Sequence, residues 1–130
     1  MVNKLISVGL VFIVIGIVLG AFAAHGLKSA GVDDSQLETF NVGTRYLFIS
    51  GLGFLALAGI RKQFDFMLRF NFRMIVWGTI LFSGSIFSLV LLPLINVQIN
   101  HLLGPITPIG GTLMIIGWVS LLIKHLRNTL

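Results

Sequence analysis

The stretch MIVWGTILFSGSIFSLVLLPLINVQINHLLGPITPIGGTLMIIGWVSLLI, residues 74–123, contains no aspartate, glutamate, lysine or arginine. A helix crosses the ~30 Å hydrocarbon core of a bilayer in about 20 residues. The run is too long for one crossing and long enough for two. Pro93, the polar group Asn96, Gln98, Asn100 and His101, and the prolines Pro105 and Pro108 divide it. These breaks predict two spans, over 74–92 and 108–123, with Thr107 as N-cap and Pro108 at the first helical position of the second.

Towards the N-terminus the same test finds two more. No charged residue occurs between Lys4 and Lys28, which gives a span over 5–24. The uncharged run Tyr46–Ile60 is shorter, but Arg45 can extend its guanidinium to the headgroups, so the span is set at 42–60. Ser35 with Glu38 three residues later has the form of a capping box and predicts a helix start near Gln36. Lys4, the apolar run and Ala21-Phe22-Ala23 also have the layout of a secretory signal peptide, but the run is longer than a usual signal core and is read as a retained span.

Composition supports the same class. Of 130 residues, 56% are hydrophobic and only 10% charged, too few charges to cover a soluble domain of this size. There is no cysteine, hence no thiol nucleophile or thiolate metal site. No run alternates as a membrane β-strand would. The expected fold is a single all-α, four-helix transmembrane bundle, since backbone groups in hydrocarbon must be satisfied within the helix.

Charge placement predicts the orientation. Lys4, Arg61, Lys62, Arg69, Arg73, Lys124 and Arg127 lie on one side and only Lys28 and Arg45 on the other, so both termini and the 61–73 linker are expected in the cytoplasm. The linker interleaves cations with Phe64, Phe66, Phe70 and Phe72. Tethered at both ends to apolar helices, it reads as a lipid-headgroup anchor through Arg61, Lys62, Arg69 and Arg73, with the rings inserted below, and not as a nucleic-acid surface.

Small residues recur on every span. Gly16 and Gly20 on the first, Ser83, Gly84 and Ser85 on the third, and Thr107, Gly110 and Gly111 on the fourth are expected to pack helices closely or to hydrogen-bond across them. The deep parts of the spans carry no ionisable group, which argues against proton-coupled transport. Polar candidates collect at the outer edge: Glu38, Asn41 and Arg45 share one face of the second helix, and His25 ends the first helix on the same side. His25 and His101 without a carboxylate motif do not make a metal site, and no cofactor is expected. No hydrolase triad, P-loop or dinucleotide fingerprint is present.

Gly20-Ala21-Phe22-Ala23-Ala24-His25-Gly26-Leu27-Lys28 resembles the Gly-Ala-Phe-Gly-Ala-His motif of the domain of unknown function 423 family. Phe82-Ser83-Gly84-Ser85 and Leu103-Gly104-Pro105-Ile106-Thr107-Pro108-Ile109-Gly110-Gly111, followed by Gly117-Trp118, resemble its other signatures. The resemblance implies a small four-span bacterial inner-membrane protein, similar to animal transmembrane protein 256, and brings no activity, substrate or cofactor. The chain departs from the pattern at Leu47 and Ser50, where the family usually has glutamine and histidine, and at Ala23, where it has glycine.

The expected role is a non-enzymatic helix-packing or interaction protein. The alternatives are binding or transport of a small neutral solute or lipid through an outer vestibule, and an accessory subunit of a larger membrane complex. Partners expected are membrane lipids and a second copy or larger complex, without nucleic acid.

Overall fold

In a computed structural model the structure describes residues 1–64 and 66–130; Asp65 of the basic linker lies outside the described residues. Four helices are long and apolar enough to cross a membrane, and among the described residues there is no strand. They are α1 (Val2–Phe22), α2 (Asp34–Gly59), α3 (Arg69–Leu91) and α5 (Ile106–Thr129), with a short α4 (Asn100–Leu103) in the last loop. Each long helix starts before or runs past its apolar stretch, because charged and polar residues continue the backbone ladder where it leaves the hydrocarbon.

α1 does not end at His25. A π-turn, Ala23–Leu27, continues it, burying Ala23 and Leu27 and leaving His25 exposed. The chain then stops in a Schellman motif. Gly31 takes φ +78°, Gly31 N–H donates to the Lys28 carbonyl and Val32 N–H to the Leu27 carbonyl, while Leu27 and Val32 meet in one apolar cluster.

Two predicted helix starts shift. The cap of α2 is Asp33, not Ser35: the extended backbone of Asp33 lets its Oδ1 accept from Gln36 N–H and from the Ser35 hydroxyl, both at 2.8 Å. A full carboxylate two residues upstream outcompetes the hydroxyl, and Glu38 turns away into a groove. α5 starts at Ile106 after Pro105, so Thr107 is already helical and does not cap. Pro108 still sits in the first turn, where no intrahelical hydrogen bond is due.

α1 packs on α2, α2 on α3 and α3 on α5. Two of these pairs cross glycine to glycine. A Cβ at Gly9 or Gly51 would lie 2.9 Å from the other's carbonyl oxygen. On the other pair, a Cβ at Gly78 would lie 2.8 Å from the Gly110 carbonyl, and one at Gly110 would run into the Phe82 backbone. Gly16 faces the Phe48 ring and Gly111 rests against Phe82. Gly20 and Gly84, expected to pack, instead face open space. A glycine row sets only one helix's surface; the neighbour's register decides which members are covered.

The α2–α3 seam is aromatic and hydroxylic. Phe40 meets Phe87, Tyr46 meets Phe82 edge-on and Phe54 meets Phe72. Ser50 and Thr79, both fully buried, are 2.7 Å apart, and Thr79 Oγ1 also lies 3.3 Å from Met114 Sδ on α5.

Candidate functional site

At the loop end of the bundle, opposite the chain termini, a groove of about 420 Å3 separates α1 from α2. Asp34, Glu38, Asn41 and Arg45, spaced by four, three and four residues, form one stripe of α2 along it. Gly20, Ala23 and Ala24 make the facing wall, and Lys28 closes the end. The open position of Gly20 thus has a reason: absent side chains on α1 create the space. The groove presents two carboxylates, two cations and an amide, a set suited to a solute or headgroup carrying both signs of charge.

The structure brings Glu38, Asn41 and Arg45 together and adds Asp34 and Lys28, which sequence spacing missed. Asp34 continues the Glu38 stripe by one turn and was legible in principle. His25 does not line the groove; its ring is exposed on the π-turn, and its carbonyl accepts from the Ser29 hydroxyl at 2.8 Å. His101 is exposed on α4. Among the described residues no three histidines or carboxylates are grouped to hold a metal ion. Asp33, beside the groove, has its carboxyl held below the usual range, first by the Gln36 N–H and then by the Ser35 hydroxyl.

The interhelical hydroxyls are all occupied. Ser83 donates to the Gly43 carbonyl at 2.8 Å, and Ser85 and Thr107 share a hydrogen bond at 2.6 Å. The departure positions Leu47 and Ser50 are both buried. Asn71 on α3, read from sequence as part of the headgroup linker, is instead buried against α5, donating to the Gly117 carbonyl and Ser120 Oγ. The linker rings also differ from expectation. Phe64, Phe66 and Phe72 pack on the protein's own core, and only Phe70 is exposed. Of the expected anchors, Arg61 donates to the Phe64 carbonyl at 2.7 Å, whereas Lys62, Arg69 and Arg73 are exposed.

A second cleft, of about 380 Å3 and mostly apolar, lies between α2 and α5, lined by Tyr46, Ile49, Phe82, Met114, Ile115 and Trp118 among others. The Trp118 ring closes over Gly53 at its end.

The family described as "Protein of unknown function (DUF423)" matches residues 19–111 of the chain. A UPF0382 membrane protein of Staphylococcus aureus is 39% identical over 83% of this chain and 83% of its own length. A UPF0382 membrane protein of Schizosaccharomyces pombe is 33% identical over 81% of this chain and 86% of its own, and one of Haemophilus influenzae is 34% identical over 81% and 79%. No solved structure matches. With the family match over residues 19–111 and these relatives along most of its length, the chain belongs to the DUF423, or UPF0382, family of membrane proteins.

Proposed function

We propose that this chain is a non-catalytic packing and interaction protein of the bacterial cytoplasmic membrane, with both termini in the cytoplasm. One observation carries the reading: among the described residues every buried side-chain nitrogen or oxygen has a hydrogen-bond partner within the protein. The interior polar groups hold helices to one another, as Ser50 holds Thr79 and Asn71 holds Gly117. The apolar faces point outward, with Val14, Ile17 and Val18 of α1 and Ile115 of α5 more than half exposed. Such faces suit lipid or another membrane helix.

The test is isolation from the membrane in native lipid-polymer discs. A stoichiometric second copy or membrane protein supports the reading, including its form as an accessory subunit of a larger complex. A monomer without stoichiometric partner overturns it. Orientation is tested separately, because the chain has no cysteine. Ser29→Cys is expected to react with an impermeant maleimide added to intact cells, and Lys62→Cys only after lysis.

A second reading rests on the groove lined by Lys28, Asp34, Glu38, Asn41 and Arg45. It binds a small solute or lipid headgroup carrying both charges. Reconstituted flux or binding unchanged by Lys28→Gln, Glu38→Gln and Arg45→Gln together removes this reading.

A further inference from the structure

At the end of the bundle that carries the termini, α1 and α3 begin side by side. Between their first turns is a cleft of about 370 Å3 lined by Met1, Lys4, Arg69, Phe72 and Arg73. Arg69 and Arg73 are one turn apart and project from the same face of α3, with Lys4 facing them from α1. Among the described residues no carboxylate lines the cleft.

Two other cations of this end are engaged elsewhere, Arg61 with the Phe64 carbonyl and Lys124 with Asn71 and the Met67 carbonyl, while Lys62 and Arg127 are exposed and do not line the cleft. Neither α1 nor α3 has a side-chain cap, so the open N–H groups of both first turns add positive potential at the same end.

The surface below the cations is apolar. Phe72 forms a wall of the cleft and is fixed by Phe54 at 5.2 Å between ring centroids. The stripe of α3 that carries Arg69 and Arg73 continues through Trp77 and Ile80, and that of α1 through Val11 and Ile15, all exposed. A free phosphate would use only the top of this surface; a glycerophospholipid uses both parts.

We propose that the Lys4–Arg69–Arg73 cleft binds the phosphodiester headgroup of an anionic glycerophospholipid, with the acyl chains lying along Val11, Ile15, Trp77 and Ile80. This goes beyond the packing role and is independent of the groove at the opposite end. It narrows the general attraction of a basic linker to one site and three side chains.

The experiment reconstitutes the full chain in equal phosphatidylglycerol and phosphatidylcholine and measures retained lipid by native mass spectrometry. The expected result is selective retention of phosphatidylglycerol, with affinity falling about fivefold for each of Lys4→Gln, Arg69→Gln and Arg73→Gln. Arg61→Gln and Lys62→Gln leave it unchanged. The double replacement Arg69→Lys with Arg73→Lys keeps the charge and keeps the selectivity, which separates loss of the site from loss of fold. Equal retention of both lipids by the unaltered chain overturns the proposal. So does an equal loss in the Arg61 and Lys62 variants, which would mean diffuse attraction. Displacement of the lipid by excess inorganic phosphate would make the ligand a free anion and also overturns it.

Discussion

Lys124 of α5 donates from Nζ to Oδ1 of Asn71 on α3 at 2.9 Å, while Nδ2 of the same asparagine donates back to the Gly117 carbonyl of α5 at 3.0 Å. The ammonium also lies 5.8 Å from the ring centroids of both Phe66 and Phe70. One carboxamide therefore ties the start of α3 to the end of α5 in both directions. Asn71→Leu keeps the bulk but leaves the Gly117 carbonyl without this donor and the ammonium without its side-chain acceptor. The expected loss is about 1–3 kcal/mol, read by unfolding in detergent. Lys124→Met keeps the aliphatic stem and the Asn71–Gly117 bond, so it is expected to cost less.

Two glycines on the paired helices α3 and α5 should respond differently. Gly110→Ala places a methyl against the Phe82 backbone, which cannot rotate aside, and is expected to force α3 from α5 and lower the melting temperature sharply. Gly84→Ala enters open space and removes the helix penalty of glycine, about 1 kcal/mol. It is expected to leave the melting temperature unchanged or raise it.

The Ser50–Thr79 bond joins the two halves of the molecule at 2.7 Å. A double-mutant cycle with Ser50→Ala and Thr79→Val is expected to give a coupling of about 0.6–1.7 kcal/mol, the range for hydrogen bonds between membrane helices. Thr79 also donates to the Ile75 carbonyl of its own helix, so Ser50→Ala alone is expected to be mild.

Asp33 makes the start of α2 acid-sensitive. Its carboxyl lies below the usual range because the charged form accepts from Gln36 N–H and the Ser35 hydroxyl. A depressed folded-state pKa stabilises the fold above the unfolded carboxylate pKa of about 3.9, and the contribution is lost as pH falls through the lower folded value. The protection of the Gln36 amide from hydrogen exchange, relative to its intrinsic rate at each pH, is expected to fall across that window. Asp33→Asn retains an oxygen acceptor without a proton to gain, and should remove the pH dependence while keeping the cap.

The four helices were legible because charge is so costly in hydrocarbon that its placement marks where each long apolar run ends. What faces what was not legible from the same pattern. Asn71 and Lys124 near the ends of their helices read alike whether they meet headgroups or each other, and only the pairing of α3 with α5 decides it. Gly20 and Gly110 are equivalent in sequence, yet one borders an open groove and the other a neighbour's backbone. The α2 start fell within a run of three good caps, Asp33, Asp34 and Ser35, where the extended backbone of the first settles the choice. His25 left the expected polar cluster because a π-turn rotates the residues that follow, a change in winding that side-chain type does not announce.

The two glycine crossings bear on how the protein is made. Gly9 and Gly51 both belong to the first half of the chain, and Gly78 and Gly110 to the second. Each pair closes a helical hairpin from its own half alone, so neither needs the other to reach its tightest contact during synthesis. The seam of α2 on α3, with Ser50 on Thr79 and Ser83 on the Gly43 carbonyl, is what requires both halves, as does the Trp118 ring over Gly53. A chain cut in the 61–68 connection therefore retains, in each fragment, a complete glycine-locked hairpin ready to join its counterpart in the bilayer.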